Sequence, residues 1–136
     1  MTDAPKYTIP LRVPDADIDR QGHVNNVAFL RYIQDVAVSH WAAVAPEAVR
    51  AAFAWVVRRH ELEYLRPALP GEELLLRTWV GAAVGATWER FTEVLRAADE
   101  KLLVTARTVW VLLDAASGRP RRVDPALVAR FAEPYA

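Results

Sequence analysis

NVAFLRYIQDVAVSHWAAV, residues 26–44, is the stretch on which the fold turns. Phe29, Leu30, Ile33, Val36, Ala37, His40 and Trp41 recur at helical spacing and make a wide apolar stripe, so the stretch predicts one long helix. Outward from it the period falls to two. Upstream, Tyr7, Ile9, Leu11 and Val13 alternate with Thr8, Pro10 and Arg12. This is a strand in which Pro10, unable to donate to a ladder, belongs on an outward position or an irregularity. Downstream, Pro46 to Ala52 can add a helical turn. Four strands then follow, at Ala54 to Leu65, Glu73 to Val80, Thr87 to Ala97 and Leu102 to Leu113. Short connections at Gly81–Gly85 and Ala98–Glu100 predict hairpins, and the four strands are expected to form an antiparallel meander. Asp124-Pro125 opens a short closing helix, with Asp as N-cap and Pro in the first turn. Strand, long helix and four strands predict an α+β architecture, a single domain over residues 1–136 with an antiparallel sheet wrapped around the central helix.

Composition narrows the function. With 136 residues and 53% hydrophobic side chains the chain can bury one real core. Seventeen basic residues balance seventeen acidic ones, which argues against nucleic acid as a partner. There is no cysteine, so disulfides, zinc–thiolate sites and thiol nucleophiles are excluded together. The opening MTDAPKYT lacks the apolar core of a signal peptide, and no apolar run is long enough to span a bilayer. The expectation is a soluble cytoplasmic protein that does not enter the membrane. The strands, with five Trp in the chain, carry more apolar surface than one helix covers, which predicts pairing with a second copy by edge or face.

Chemistry concentrates in Asp15-Ala16-Asp17-Ile18-Asp19-Arg20-Gln21-Gly22-His23-Val24-Asn25-Asn26, the loop entering the long helix. A helix N-terminus offers unpaired N–H groups and partial positive charge. A carboxylate, a His and free amides meeting there are what acyl transfer requires: one group delivers water or attacks, and the amides hold the oxyanion. A calcium loop fails in detail, since its sixth position is Arg20 and its twelfth Asn26. Asn25 is expected as a helix cap, and Asp15 and Asp17 as turn formers. His40, on the apolar stripe, is expected as a hydrogen-bonded core residue and His60 as an exposed one. Neither Ser39 nor Ser117 sits in a nucleophile elbow, and the scattered glycines match no phosphate cradle.

The segment Asp17-Ile-Asp19-Arg-Gln-Gly22-His23-Val-Asn-Asn26, followed by Phe29-Leu-Arg-Tyr32-Ile-Gln-Asp35, resembles the signature of hotdog-fold acyl thioesterases. It is most similar to the 4-hydroxybenzoyl-CoA thioesterase-like branch and to the acyl-ACP thioesterases. Glu61-Leu-Glu-Tyr64-Leu-Arg-Pro67-Ala-Leu-Pro-Gly71-Glu and Leu76-Arg-Thr-Trp79-Val resemble later elements of the same family, so the likeness covers nearly the whole chain. It implies a hotdog domain whose copies join sheets edge to edge, as a dimer or tetramer, with active sites at the interface. It also implies that Asp19 is the catalytic carboxylate and that the backbone amide of Asn26 polarises the thioester carbonyl. The acyl-ACP members use Asp, Asn and His, which fall here on Asp19, Gln21 and His23, so that Gln21 departs from the family's Asn. Gly22 is shared with relatives acting on shorter substrates, and Asp17 matches a frequent family residue of structural role.

Hydrolysis of an acyl thioester, carried by CoA or acyl carrier protein, to a carboxylic acid and a thiol is therefore the expected activity. Asp19 acts as base or nucleophile, Asn26 holds the oxyanion, and His23 orients Asp19 or the water. No metal or other cofactor is required. Gln21 and Gly22 are expected to line the substrate, and Arg58, Arg59 and Arg66, with Arg121 and Arg122, to meet the nucleotide phosphates. The alternative is a non-catalytic acyl-CoA-binding module, and a third reading is a hydratase, which places its Asp–His pair differently.

Overall fold

The structure, a computed structural model, describes residues 4–133. Strand β1 (Tyr7–Arg12) leads through a single 3-10 turn (Asp15–Asp17) to helix α1 (Asn26–Val44) and the short α2 (Glu47–Ala52). Strands β2 (Phe53–Tyr64), β3 (Glu73–Val84), β4 (Thr87–Arg96) and β5 (Leu102–Asp114) follow, and α3 (Pro125–Phe131) closes the described chain. One antiparallel sheet holds all five strands in the order β1-β3-β4-β5-β2.

That order corrects the expected four-strand meander. Only β3, β4 and β5 are consecutive neighbours; β2 lies at the far edge, beside β5. The segment joining β2 to β3, residues 65–72, carries Pro67, Pro70 and Gly71 and is too long for a tight hairpin. It turns across the end of the sheet, with Leu65 and Arg66 N–H groups both donating to Leu103 O (2.8 and 3.1 Å). The edge of β3 this leaves open is filled by β1, in register from Tyr7–Thr78 to Arg12–Glu73. Strand β3 also runs past Gly81, and the turn is Gly85-Ala86 alone. Gly81 serves the strand instead, at a register shift between Val80 and Ala83. A Cβ there would fall 2.6 Å from Glu89 Oε1 and 2.8 Å from the Phe91 ring.

Helix α1 lies on the concave face of the sheet. Phe29, Ile33 and Val36 pack with Leu74, Leu76, Val94, Leu103 and Val104 in one core, each such side chain contributing ~1.5–3 kcal/mol. Beyond the helix midpoint a second core gathers Val80, Trp88 and Leu112 under Leu127 and Phe131 of α3, with Trp41 and Trp55 against it. His40 is a core residue as expected, its Nδ1 2.8 Å from Arg90 Nη1. His60 is not the exposed residue expected. A register shift between Val57 and Arg59 breaks the alternation of β2 and turns His60 inward, where its Nδ1 lies 3.0 Å from Thr108 Oγ1. Strand β2 forms the sheet edge over its 12 residues, and Val27 and Val38 are exposed on α1. No helix among the described residues is long and apolar enough to cross a membrane.

Candidate active site

The loop entering α1 folds as a miniature hairpin. Asn25 N–H donates to Asp17 O and Asp19 N–H to His23 O (both 2.8 Å), with Ile18 bridged to Val24 between them. Gly22 N–H closes the tip on Asp19 O at 3.1 Å, and Gly22 adopts φ +80°, where a side chain would be strained. The Asp19 carboxylate folds over this tip: its Oδ1 accepts the Gln21 N–H at 2.9 Å and the His23 N–H at 3.4 Å. Its Oδ2 has no hydrogen bond among the described residues. Val24 N–H donates to Ala68 O at 2.9 Å, which ties the hairpin to the loop after β2.

The hairpin delivers the chain into α1. Asn25 is the N-cap, its side chain accepting the Val27 N–H at 2.8 Å, as expected. Asn26 therefore occupies the first helical position, and no acceptor among the described residues takes its N–H. The Tyr64 hydroxyl donates to Asn26 O at 3.2 Å, and its ring packs on Phe29, 5.9 Å between centroids. A carboxylate with one oxygen pinned and one free thus stands a few residues from an unpaired amide at the positive end of a 19-residue helix.

The hairpin's base is clasped from the helix side. Asp17 is buried, its Oδ2 accepting from the Tyr32 hydroxyl and its Oδ1 from Arg31 Nη2, both at 2.5 Å. Burial opposes ionisation of Asp17, but the Tyr32 and Arg31 bonds outweigh it and hold the carboxyl below its ordinary value. Burial and the same carboxylate push the Tyr32 phenol upward. Asp17 is thus more than the turn former expected from the sequence. Arg31, Tyr32 and Tyr64, which stand in the family-like segments without an expected role, join the site here. One cue existed: Tyr32 falls on the apolar stripe between Phe29 and Val36, and a buried hydroxyl needs a partner.

Asp19, Gln21, Gly22 and His23 share the hairpin tip, with Asn26 three residues further on at the start of α1; His23 reaches Asp19 through its main chain and Gln21 through its amide N–H. Arg66 follows β2 near the hairpin, its Nη1 donating to Leu102 O at 2.7 Å. Arg58 and Arg59 lie apart. At ~3.3 Å per residue they are about 15–20 Å along β2 from Tyr64, and Arg59 is paired with Glu61 at 2.7 Å.

The model of the thioesterase-like superfamily matches residues 13–131. The acyl-CoA thioester hydrolase YbgC of Escherichia coli is 28% identical over 127 residues, covering 90% of this chain and 92% of that protein. A Thermus thermophilus thioesterase, solved in complex with coenzyme A and Zn, superposes with a TM-score of 0.82 at 26% identity, over 96% of this chain and 99% of that one. A probable thioesterase from Bartonella henselae superposes with a TM-score of 0.75 at 26% identity, covering 88% and 99%. The matched length runs from the end of β1 through the loop entering α1 to α3, and the chain belongs to the thioesterase-like superfamily, with its hotdog fold.

Proposed function

We propose that this chain is a thioester hydrolase that cleaves acyl-CoA at Asp19. The observation that carries this reading is that the Asp19 carboxylate, free at Oδ2, sits in the hairpin leading directly into α1, where the Asn26 N–H has no acceptor among the described residues. The thioester carbonyl oxygen is received by that amide, whose donor and helix dipole already point where negative charge develops. Asp19 Oδ2 takes a proton from an attacking water, or attacks the carbonyl itself to give a mixed anhydride that water opens. Either way the C–S bond breaks, the thiolate leaves and is protonated, and the acid is released. His23 holds Asp19 in place through its main chain, and its half-buried side chain, the one imidazole on the hairpin, orients the water. Arg66, which follows β2 beside the hairpin, supplies positive charge for the CoA phosphates, and Arg58 and Arg59 lie too far along β2 to share that task. The edge of β2 joins a second copy, so that sites lie between copies of a dimer or a dimer of dimers.

The test is thiol release from acyl-CoA by wild type and Asp19→Asn, with acyl carrier protein thioesters assayed alongside. Asn keeps the shape and the hydrogen bonds from Gln21 and His23 but removes the base, so turnover falls roughly 10²–10⁴-fold while the melting temperature holds. Asp15→Asn, on the exposed 3-10 turn, leaves turnover intact. If folded Asp19→Asn turns over within a few-fold of wild type, Asp19 is a turn residue and the mechanism fails. Saturable acyl-CoA binding with no thiol release favours a non-catalytic binding module.

A further inference from the structure

At the start of α1 the Asn26 N–H has no acceptor among the described residues, while the groups around it are tied down. It belongs to the peptide from Asn25 to Asn26, whose carbonyl, Asn25 O, accepts the Ala28 N–H at 3.0 Å. The next peptide, from Asn26 to Val27, is held at both edges. Its N–H donates to Asn25 Oδ1 at 2.8 Å, and its carbonyl, Asn26 O, accepts the Tyr64 hydroxyl at 3.2 Å. A peptide group is a rigid plane, so bonds at both edges fix its rotation and, through Asn26 Cα, the direction of the free N–H. Tyr64 is the last residue of β2, paired with Val104 of β5, and among the described residues it alone carries a hydrogen bond from the sheet to this turn. The fold gains little from that hydroxyl. Tyr64 is 45% exposed, and its ring packs on Phe29 with centroids 5.9 Å apart, a contact that Phe would make equally. A hydroxyl so exposed exchanges a water partner for a protein one at small net gain.

We propose that Tyr64 is a positioning residue, whose hydroxyl, reaching over from the end of β2, aims the Asn26 amide at the thioester oxygen. The proposal rests on the hydrolytic reading above, in which that amide receives the developing negative charge. An oxyanion donor works by standing in place before the charge appears. A donor free to swing must be reordered in the transition state, whereas binding of the CoA and acyl portions does not depend on it. The loss therefore falls on kcat and leaves KM in place. A displacement near 1 Å at a reacting group costs up to ~10²-fold in rate, and with the bonds from Val27 and Ala28 kept, loss of the Tyr64 restraint should cost about tenfold.

Tyr64→Phe is the test, because it keeps the ring on Phe29 and deletes only the hydroxyl. Thiol release is followed with acetyl-, hexanoyl- and lauroyl-CoA. On the best of them kcat should fall about tenfold with KM within about twofold of wild type. The melting temperature should stay within about 4 °C of wild type. A second readout needs no turnover. NMR relaxation gives an order parameter of about 0.85 for a rigid backbone amide, and in Tyr64→Phe the values for Asn26 and Val27 should fall while those of the following turns hold. Val84→Ala, at the exposed end of β3, is the control and should alter neither readout. A kcat within about twofold of wild type, or a KM that rises as far as kcat falls, overturns the proposal. A lower kcat with the Asn26 amide as ordered as before also overturns it, since the hydroxyl would then act on the substrate and not through the amide. No thiol release by wild type from any of the three removes the hydrolytic reading, and the order parameters then decide alone. A loosened Asn26 amide keeps Tyr64 as the residue that aims it, and an unchanged one removes that role as well.

Discussion

Asp17→Asn tests whether the buried clasp holds the catalytic hairpin against α1. In the native protein the Asp17 carboxylate receives a hydroxyl from Tyr32 and a guanidinium N–H from Arg31, each at 2.5 Å, and Tyr32 itself is 2% exposed. A hydrogen bond to a charged group contributes ~1.5–3 kcal/mol and a neutral one about half as much, so losing the charge on the Tyr32 bond costs about 1–2 kcal/mol. For a chain of this size each kcal/mol lowers the melting temperature by roughly 4 °C. The expected fall is therefore about 4–8 °C. A second readout separates clasp from hairpin. Because Asp17 O also takes the Asn25 N–H, loosening this residue lets the Asp19 tip drift against the Asn26 amide. A displacement near 1 Å at a reacting group costs up to ~10²-fold in rate, so kcat should fall ten- to a hundredfold with KM little changed. Tyr32→Phe should do the same to a lesser degree. Thermal melts and steady-state thiol release on the same preparations decide the matter. A melting temperature within 1–2 °C of wild type would show that the carboxylate holds nothing. A large drop in stability with unchanged kcat would show that the clasp supports the fold and not the site.

Acid should destabilise this protein through His40 before it does so through Asp17. Burial, with the Arg90 charge second, lowers the His40 pKa to about 3 from 6.5, so the folded chain refuses a proton that the unfolded chain accepts. Its contribution is complete above pH 6.5 and is lost as pH falls toward 3; urea midpoints at pH 7, 5.5 and 4.5 should decline, and His40→Gln should flatten that slope. Asp17 adds a later loss: its depressed pKa stabilises the fold above its unfolded value of 3.8, and that gain disappears as pH falls through the folded value. Asn25→Ala, which deletes the cap on Val27 N–H, should cost ~1 kcal/mol by chemical denaturation. No measurable loss would mean that the hairpin, and not the cap, sets the start of α1.

Much of this protein was written locally in its sequence. The bounds of α1, its Asn25 cap, the Asp124-Pro125 start of α3 and the positions of the strands all follow from periodicity and from side chains that bond two or three residues away. That Asp19 and Asn26 lie on one short loop entering α1 was legible because they are neighbours along the chain, while their choice as reacting groups rests on the family resemblance. What depended on distant pairing was not. Whether β2 lies beside β3 or beside β5 is decided by the course of residues 65–72 and by β1 filling the open edge, neither of which has a period to read. The inward turn of His60 follows from a register shift visible only once β2 meets β5. Asp17 looked like a turn former because its partners lie fourteen and fifteen positions away, on a helix whose facing is set by the sheet beneath it. Trp110 looked like one more apolar strand residue. That its N–H is buried without a partner among the described residues shows only in the folded packing, because hydrogen-bond satisfaction belongs to the whole packing and not to any one segment.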